Sequence, residues 1–159
     1  MTKFHQLPKP FFRLIKLPPQ IAYALGLGPL MGRLVLLLTT TGRKTGKPRV
    51  TPLQYEEVGE EIYVGASRGL KSDWVRNILA DPHVEVRVKS RGFQAFAKVI
   101  TDPARIADFL ELRLQRRPRM IGAMMKAEGL PSQPDRAHLE EYAENLAVVV
   151  IKPVSGSVS

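Results

Sequence analysis

The 159-residue sequence contains no cysteine, and this absence removes several kinds of chemistry at once. Disulfide bonds, thiolate metal sites and cysteine nucleophiles are excluded, and the composition fits a reducing cytosol. Histidine is scarce as well, because only His5, His83 and His138 occur, and no two of them lie at a ligand spacing. We therefore expect no metal site.

No uninterrupted apolar run is long enough to cross a membrane as a helix. The most apolar stretch, residues 21–39, is broken by three glycines, a proline and Arg33, whereas a spanning helix needs roughly twenty apolar residues. The N-terminus also lacks the apolar core and cleavage site of a signal peptide. We expect a cytoplasmic protein, and peripheral contact with the inner membrane face through the aromatic and basic residues of 11–17 stays open.

Acidic residues are few relative to basic ones, with 15 Asp and Glu against 24 Lys and Arg, a net charge of +9. Such an excess suits a polyanionic partner such as nucleic acid, an anionic membrane or a phosphorylated small molecule, or it is only a basic surface. Aromatic residues make up 7% of the chain, too few to supply stacking platforms for bases. We therefore expect no nucleic-acid partner.

The spacing of apolar residues predicts about six strands with helices between them. Strands are predicted at residues 33–39, 49–58, 61–67, 83–89, 93–101 and 145–152. Helices are predicted at residues 19–25, 72–80, 104–116, 120–128 and 135–144. The first three strands suggest an antiparallel meander, in which Pro52 indicates an edge or a bulge. The strict alternation of residues 83–89 is typical of a half-exposed strand.

These elements add up to one α+β domain over residues 1–159, built on a small antiparallel barrel. Helices are expected at the N-terminus, between strands and before the last strand. Residues 1–28 are expected to form a helical or anchoring segment, and residues 155–159 a frayed tail.

Positive charge is concentrated in residues 39–49 (TTTGRKTGKPR), which contain no acidic residue. The basic residues of this stretch are Arg43, Lys44, Lys47 and Arg49. Gly42 and Gly46 allow backbone N–H groups to approach an anion closely, and the threonines add hydroxyl donors. The two glycines are too close together for a P-loop, which argues against a nucleotide triphosphatase. A phosphate-binding turn and a solvated basic hairpin are the two remaining interpretations.

The stretch TTTGRKTGKPRVTPL, followed by VGASRG and DWVRN, resembles the deazaflavin-dependent oxidoreductases related to the deazaflavin-dependent nitroreductases. The resemblance covers roughly residues 29–101 and, more weakly, the last strand. It implies a split β-barrel and the coenzyme F420, whose phosphate and oligoglutamate tail are both anionic. Basic residues of the turn would bind that tail.

By the same resemblance, ten residues form the cofactor site: Thr41, Gly42, Arg43, Lys44, Thr45, Arg49, Ser67, Arg68, Trp74 and Asn77. Lys44 and Arg49 correspond to residues that bind the tail, and Ser67 lies near the deazaflavin ring. Trp74 would form a wall of the cleft, although a single Trp on a short amphipathic helix is also typical of a core.

The implied activity is hydride transfer between reduced F420 and a small acceptor such as a quinone, an enone or a nitro compound. Such chemistry belongs to the cofactor and needs no nucleophile, and Ser67 is the candidate for protonating the product. The alternatives are an oxidoreductase that uses FMN or FAD, and a non-catalytic barrel that binds a lipid at a membrane. The nitroreductase substrate pocket is not matched, because Gln54 replaces a tyrosine and Tyr142 is the only tyrosine within residues 120–142.

Two other charged clusters carry weaker expectations. Residues 113–119 (RLQRRPR) hold four arginines, which suit an anionic ligand but are more typical of an exposed helix end, where cations are favoured. Glu56 and Glu57 form an acidic pair with no matching nucleophile or metal ligand. We expect no acid–base role for them.

Overall fold

In the computed structural model, residues 35–131 and 133–154 are described, and they form seven strands, four α-helices and one short 3-10 helix. In chain order the elements are β1 Val35–Thr41, β2 Pro48–Gln54, β3 Glu56–Val58, β4 Glu61–Ala66, the 3-10 helix Gly69–Lys71, α1 Asp73–Ala80, β5 His83–Val88, β6 Arg91–Ile100, α2 Pro103–Arg116, α3 Pro118–Ala127, α4 Arg136–Ala143 and β7 Ala147–Pro153. The predicted helix at 19–25, the anchoring segment 1–28 and the tail 155–159 lie outside the described residues.

The seven strands form one antiparallel sheet in the order β2-β1-β5-β6-β7-β4-β3. Strands β2 and β3 are therefore the two opposite edges, yet only Tyr55 separates them in the sequence. Because one residue spans only about 3.3–3.6 Å of extended chain, the two edges must come together. The sheet consequently curls into a half-barrel with a split beside Tyr55, which confirms the predicted α+β barrel class.

The predicted strand over residues 49–58 is wrong as a single element, because it breaks at Tyr55. Its first part pairs with β1, placing Leu53 opposite Leu36. Its second part pairs with β4, placing Glu57 opposite Ile62. The sheet therefore has seven strands instead of about six, and its first strands do not form a continuous meander. Pro52 does lie on an edge strand, as predicted.

The inside of the half-barrel is an aliphatic core. Alternate residues of the strands point into it, for example Leu36 and Leu38 of β1. Helix α1 begins after Ser72, carries Asp73 at its positive end, and inserts Val75 and Ile78 into the same core. Trp74 packs against this core and is only partly buried. Packing against the core thus fixes the position of α1, the helix that borders the candidate site.

Helices α2, α3 and α4 cover the outer side of β4 and β7. Asp102 caps α2 by accepting a hydrogen bond from the backbone N–H of Ala104, with proline at the first turn as expected. Arg136 of α4 donates to Asp108 of α2 at 2.8 Å and to Glu140 at 2.9 Å. The contact with Asp108 ties α4 to α2, and both helices contribute side chains to a second, smaller apolar cluster.

Strand β5 shows the predicted alternation, with Val84, Val86 and Val88 buried and Arg87 exposed, but its outer face is less exposed than predicted. It lies between β1 and β6, and Glu85 on its outer face is only 3% exposed. Thr39 stands directly opposite Glu85 on β1. Thr39 Oγ1 and Glu85 Oε2 are both buried, and neither has a hydrogen-bond partner among the residues that the structure describes. Burial raises the pKa of Glu85 to about 7.

Glu85 should make the stability of the fold depend on pH. Its carboxyl ionises near 4.5 when unfolded and near 7 when folded, so its contribution to stability is complete below pH 4.5 and is lost as the pH rises through 7. Glu85→Gln should therefore be more stable than wild type at pH 8 by about 1–3 kcal/mol and nearly equal at pH 5. Urea unfolding at the two pH values measures this difference.

Glu141→Gln is a matched control, because Glu141 is exposed on α4 and should leave the pH dependence unchanged. If Glu85→Gln lowered stability equally at pH 5 and pH 8, the neutral buried carboxyl would be ruled out.

Candidate cofactor-binding site

The turn between β1 and β2, residues 42–47, is closed by its own backbone. The N–H of Gly42 donates to the carbonyl of Lys47, and the N–H of Gly46 donates to the carbonyl of Gly42, both at 2.7 Å. Gly46 has φ +70°, a left-handed conformation that favours glycine. A Cβ on Gly42 would lie 2.8 Å from Thr45 Oγ1. The glycines are therefore needed for the shape of the turn.

A set of side chains that we call the hairpin clasp (Thr40, Arg43, Asp73 and Asn77) fixes this turn to α1. Asn77 Oδ1 accepts from the backbone N–H of Arg43 at 3.2 Å and from Arg43 Nη1 at 2.9 Å. Asn77 Nδ2 donates to Thr40 Oγ1 at 3.2 Å. Arg43 Nη2 donates to Asp73 Oδ1 at 3.1 Å and lowers the pKa of that carboxyl. Asn77 itself is buried, with 4% exposed.

The hairpin clasp gives Arg43 and Asn77 a positioning role that their motif did not reveal. Both were expected to contact a cofactor, and in the structure they bind each other. Asp73, which was not among the expected site residues, completes the arrangement. Its signal in the sequence was its position four residues before Asn77, which places the two side chains on the same face of α1.

The remaining basic residues of the turn are left without acidic partners. Lys44, Lys47 and Arg49 are exposed, and none of them forms an ion pair with the residues that the structure describes. Thr45 Oγ1 accepts from the backbone N–H of Lys47 at 3.2 Å, and Thr41 is half-buried at the end of β1. The turn therefore presents unneutralised cations, which can bind an anion through charge-assisted hydrogen bonds.

Ser67 and Arg68 follow β4 and are both exposed. The turn after them is tightly packed, since a Cβ on Gly69, with φ +56°, would lie 2.8 Å from the carbonyl oxygen of Asn145. Arg76 of α1 fixes the same turn by donating to the carbonyl of Leu70 at 2.9 Å. Ser67 and Arg68 are thereby held beside the split, and Arg68 has no acidic partner within the described part of the chain.

A cavity of about 410 Å³ opens between β2, the end of β4 and helices α2, α3 and α4. Most of its wall is apolar, and the side chains that define it include Ile106, Phe109, Leu110, Ile121, Met125 and Leu146. The polar groups on the wall are few. They include Gln54, Ser67 and Tyr142, which the sequence had singled out.

Tyr142 retains its proton at neutral pH. Burial raises the pKa of its hydroxyl, and the negative charge of Glu128 raises it further. Both residues line the cavity. The cavity thus contains a hydroxyl donor in an apolar setting, without the several tyrosines of the nitroreductases.

Residues 113–119 are not simply an exposed helix end. Arg113, Arg116 and Arg117 surround the carboxylate of Glu56, with contacts of 3.2, 3.3 and 2.5 Å, and Glu56 is only 1% exposed. Burial alone would raise the pKa of Glu56, but hydrogen bonds from the three arginines lower it overall. Of the four arginines, only Arg119 lacks an ion pair with the described residues. No local pattern in the sequence signals this cluster, because the three arginines lie 57, 60 and 61 residues after Glu56.

The basic turn and the cavity lie at the two ends of β2, and the cavity is lined by the consecutive residues Pro52, Leu53 and Gln54. Arg49, Thr51 and Leu53 alternate along the strand, opposite Thr40, Leu38 and Leu36 of β1 respectively. Arg49 belongs to the basic turn, and Leu53 lines the cavity. At 3.3 Å per residue they are about 13 Å apart, so the site suits an elongated ligand with an anionic tail and an apolar ring.

Within residues 35–131 and 133–154, no helix has both the length and the apolar character required to span a membrane. The same residues contain no group of three or more acidic or histidine side chains that could hold a metal ion.

Comparison with known proteins agrees with this geometry. Residues 24–127 match the family described as F420H(2)-dependent quinone reductase. A stretch of 68 residues is 40% identical to the F420H(2)-dependent quinone reductase Rv1261c of Mycobacterium tuberculosis (strain ATCC 25618 / H37Rv) and to MT1299 of strain CDC 1551 / Oshkosh. It covers 41% of this chain and 46% of each relative, so the match spans about half the length of these relatives.

Solved structures share the fold at lower sequence identity. An F420 reductase superposes with a TM-score of 0.50 at 21% identity, covering 80% of this chain and 90% of its own. The F420-H2-dependent reductase FDR-A gives 0.51 at 22%, covering 76% and 95%, and HutZ of Vibrio cholerae gives 0.54 at 17%, covering 89% and 93%. These similarities show the fold alone. The family match, which includes the basic turn and extends to the end of α3, shows that the chain belongs to the F420H(2)-dependent quinone reductase family.

Proposed function

We propose that this protein is an oxidoreductase that passes a hydride from reduced F420 to a small apolar acceptor, and that a quinone is the main acceptor class. One observation carries the proposal: cations without acidic partners among the described residues lie at one end of β2, and an apolar cavity lies at the other end. Membership of the family supports F420 as the cofactor.

The residues present fit the anionic tail of F420. Lys44, Lys47, Arg49 and Arg68 offer four cations without acidic partners among the described residues, and the hairpin clasp keeps the turn in place. FMN carries a single phosphate, which needs fewer cations than this turn offers. The charge of the site therefore favours F420 over FMN.

The cofactor supplies the hydride, and the protein positions the two partners and excludes water. The apolar wall that includes Phe109 and Leu110 would hold the ring of the acceptor and keep bulk water out. Ser67 and Tyr142 place hydroxyl groups on the cavity wall, where either can donate a hydrogen bond to an acceptor oxygen. Enones and nitro compounds of similar size belong to the same acceptor range.

We place this reaction in the cytoplasm, with residues 1–28 contacting the inner membrane face, where apolar quinones dissolve. The aromatic and basic residues of 11–17 support this location. Deletion of residues 1–18 should abolish co-sedimentation with anionic liposomes without changing the affinity for F420. Full retention of liposome binding by the truncated protein would contradict the proposed membrane contact.

Lys44→Ala and Arg49→Ala should each weaken F420 binding by about 1–3 kcal/mol, the contribution of a charged hydrogen bond. The increase in Kd is about 5- to 150-fold. A fluorescence titration with F420, run beside one with FMN, measures it.

Lys98→Ala is the control, because Lys98 is exposed on β6 and should bind F420 as wild type does. A deazaflavin that lacks the phosphate and glutamates should bind all variants equally. If the Lys44 and Arg49 variants keep wild-type affinity for F420, the tail site lies elsewhere.

Asn77→Ala should affect both stability and cofactor binding, because it leaves the buried hydroxyl of Thr40 unpaired and releases Arg43. We expect a loss of about 1–3 kcal/mol in the free energy of unfolding and weaker binding of F420. Asp73→Asn, which alters only an exposed member of the hairpin clasp, should change stability little. Urea unfolding and F420 titration together measure both effects.

The tail-free deazaflavin separates positioning from direct contact. If Asn77 only positions the turn, Asn77→Ala binds that analogue normally. An equal loss of affinity for the analogue and for F420 would instead show that Asn77 contacts the ring.

A further inference from the structure

Arg113 differs from the other arginines around Glu56 because it also lines the cavity. Its Nε donates to Glu56 Oε2 at 3.2 Å, and its Nη2 donates to Gln54 Oε1 at 2.8 Å. Its Nη1 forms no hydrogen bond with any described residue. The side chain is only 13% exposed, so this free donor is largely shielded from solvent.

The guanidinium of Arg113 is held rigidly. A guanidinium is planar, and its donors point in fixed directions, so the contacts with Glu56 and Gln54 fix its orientation. Arg116 and Arg117 bind the same carboxylate. Three guanidinium groups thus share one carboxylate, and two positive charges remain unbalanced there.

Among the described residues that line the cavity, Arg113 is the only cation. Its wall is mostly apolar, and Glu128, its acidic residue, lies on the side of Tyr142 and α3. An apolar acceptor that fills this space would therefore find its strongest hydrogen-bond donor at Arg113. A buried charge with a free donor favours an oxygen that becomes negative during the reaction.

We propose that Arg113 binds the carbonyl oxygen of the acceptor and stabilises the negative charge that forms on it. Hydride addition to a conjugated carbonyl compound delivers two electrons with one hydrogen. A new C–H bond forms, the π electrons shift to the oxygen, and the cofactor is left oxidised. A proton from solvent then neutralises the oxyanion. This assignment rests on the proposed function and specifies its acceptor as a conjugated carbonyl compound.

The test measures binding to the protein without F420, so that it does not depend on turnover. Two naphthoquinones of similar size serve as probes, one with an ionised hydroxyl group and one neutral. By calorimetry, wild type should bind the anionic quinone more tightly than the neutral one. Arg113→Gln should lower affinity for the anionic quinone about 10- to 150-fold, as for a hydrogen bond to a charged group, and lower the affinity for the neutral quinone much less.

Arg116→Gln is a closely matched control. Arg116 binds Glu56 as Arg113 does, at 3.3 Å, but it does not line the cavity. Its substitution removes the same charge and the same carboxylate contact. The variant should therefore keep the preference for the anionic quinone.

Three outcomes would overturn the assignment. Arg113→Gln could keep the preference for the anionic quinone, or it could lose affinity for both quinones equally. Arg116→Gln could lose the preference for the anionic quinone to the same extent as Arg113→Gln. If Arg113→Gln fails to fold, Arg113→Lys provides the test, because it keeps the charge and must retain part of the preference. A separate F420 titration of wild type tests the proposed function, because failure there would not alter the binding of the quinones.

Discussion

The short connection at Tyr55 is the constraint on which the site depends. A sheet of seven strands has two edges that would otherwise lie far apart, and a single residue joins them here. The sheet must therefore curl, and its curl places β2 beside the end of β4. Ser67 and the cavity lie at this split, and the basic turn lies at the opposite end of β2. A longer connection would permit a flatter sheet without this cleft.

Glu56, the residue after Tyr55, connects the short connection between the two sheet edges to the helices. Glu56 is buried in the strand that resumes beyond the break, and its carboxylate binds arginines from the end of α2 and the start of α3. A buried carboxylate is unfavourable unless it is well paired, so the helices are held in one place relative to the strands. The same ion cluster orients Arg113 at the cavity wall. The charges that hold the helices against the strands thus also orient a side chain of the cavity wall.

Local sequence patterns predicted the elements well but not their long-range pairing. The alternation of residues 83–89 indicated a strand, yet it could not show that β5 lies inside the sheet and that Glu85 is buried. The motif at residues 39–49 identified the basic turn, because its glycines and cations are local features. The partners of Arg43 and Glu56 lie at least 30 residues away in the sequence, and no spacing rule reveals them.

The hairpin clasp has a consequence for the thermodynamics of ligand capture. A flexible basic loop loses conformational entropy when it closes on an anion, and that loss weakens binding. Here the ordering occurs during folding, through the buried amide of Asn77. The turn is therefore preorganised, and the free energy of its ionic contacts is available almost entirely for affinity. We expect such a rigid cationic turn to associate fast with an anion and to rearrange little when the anion binds.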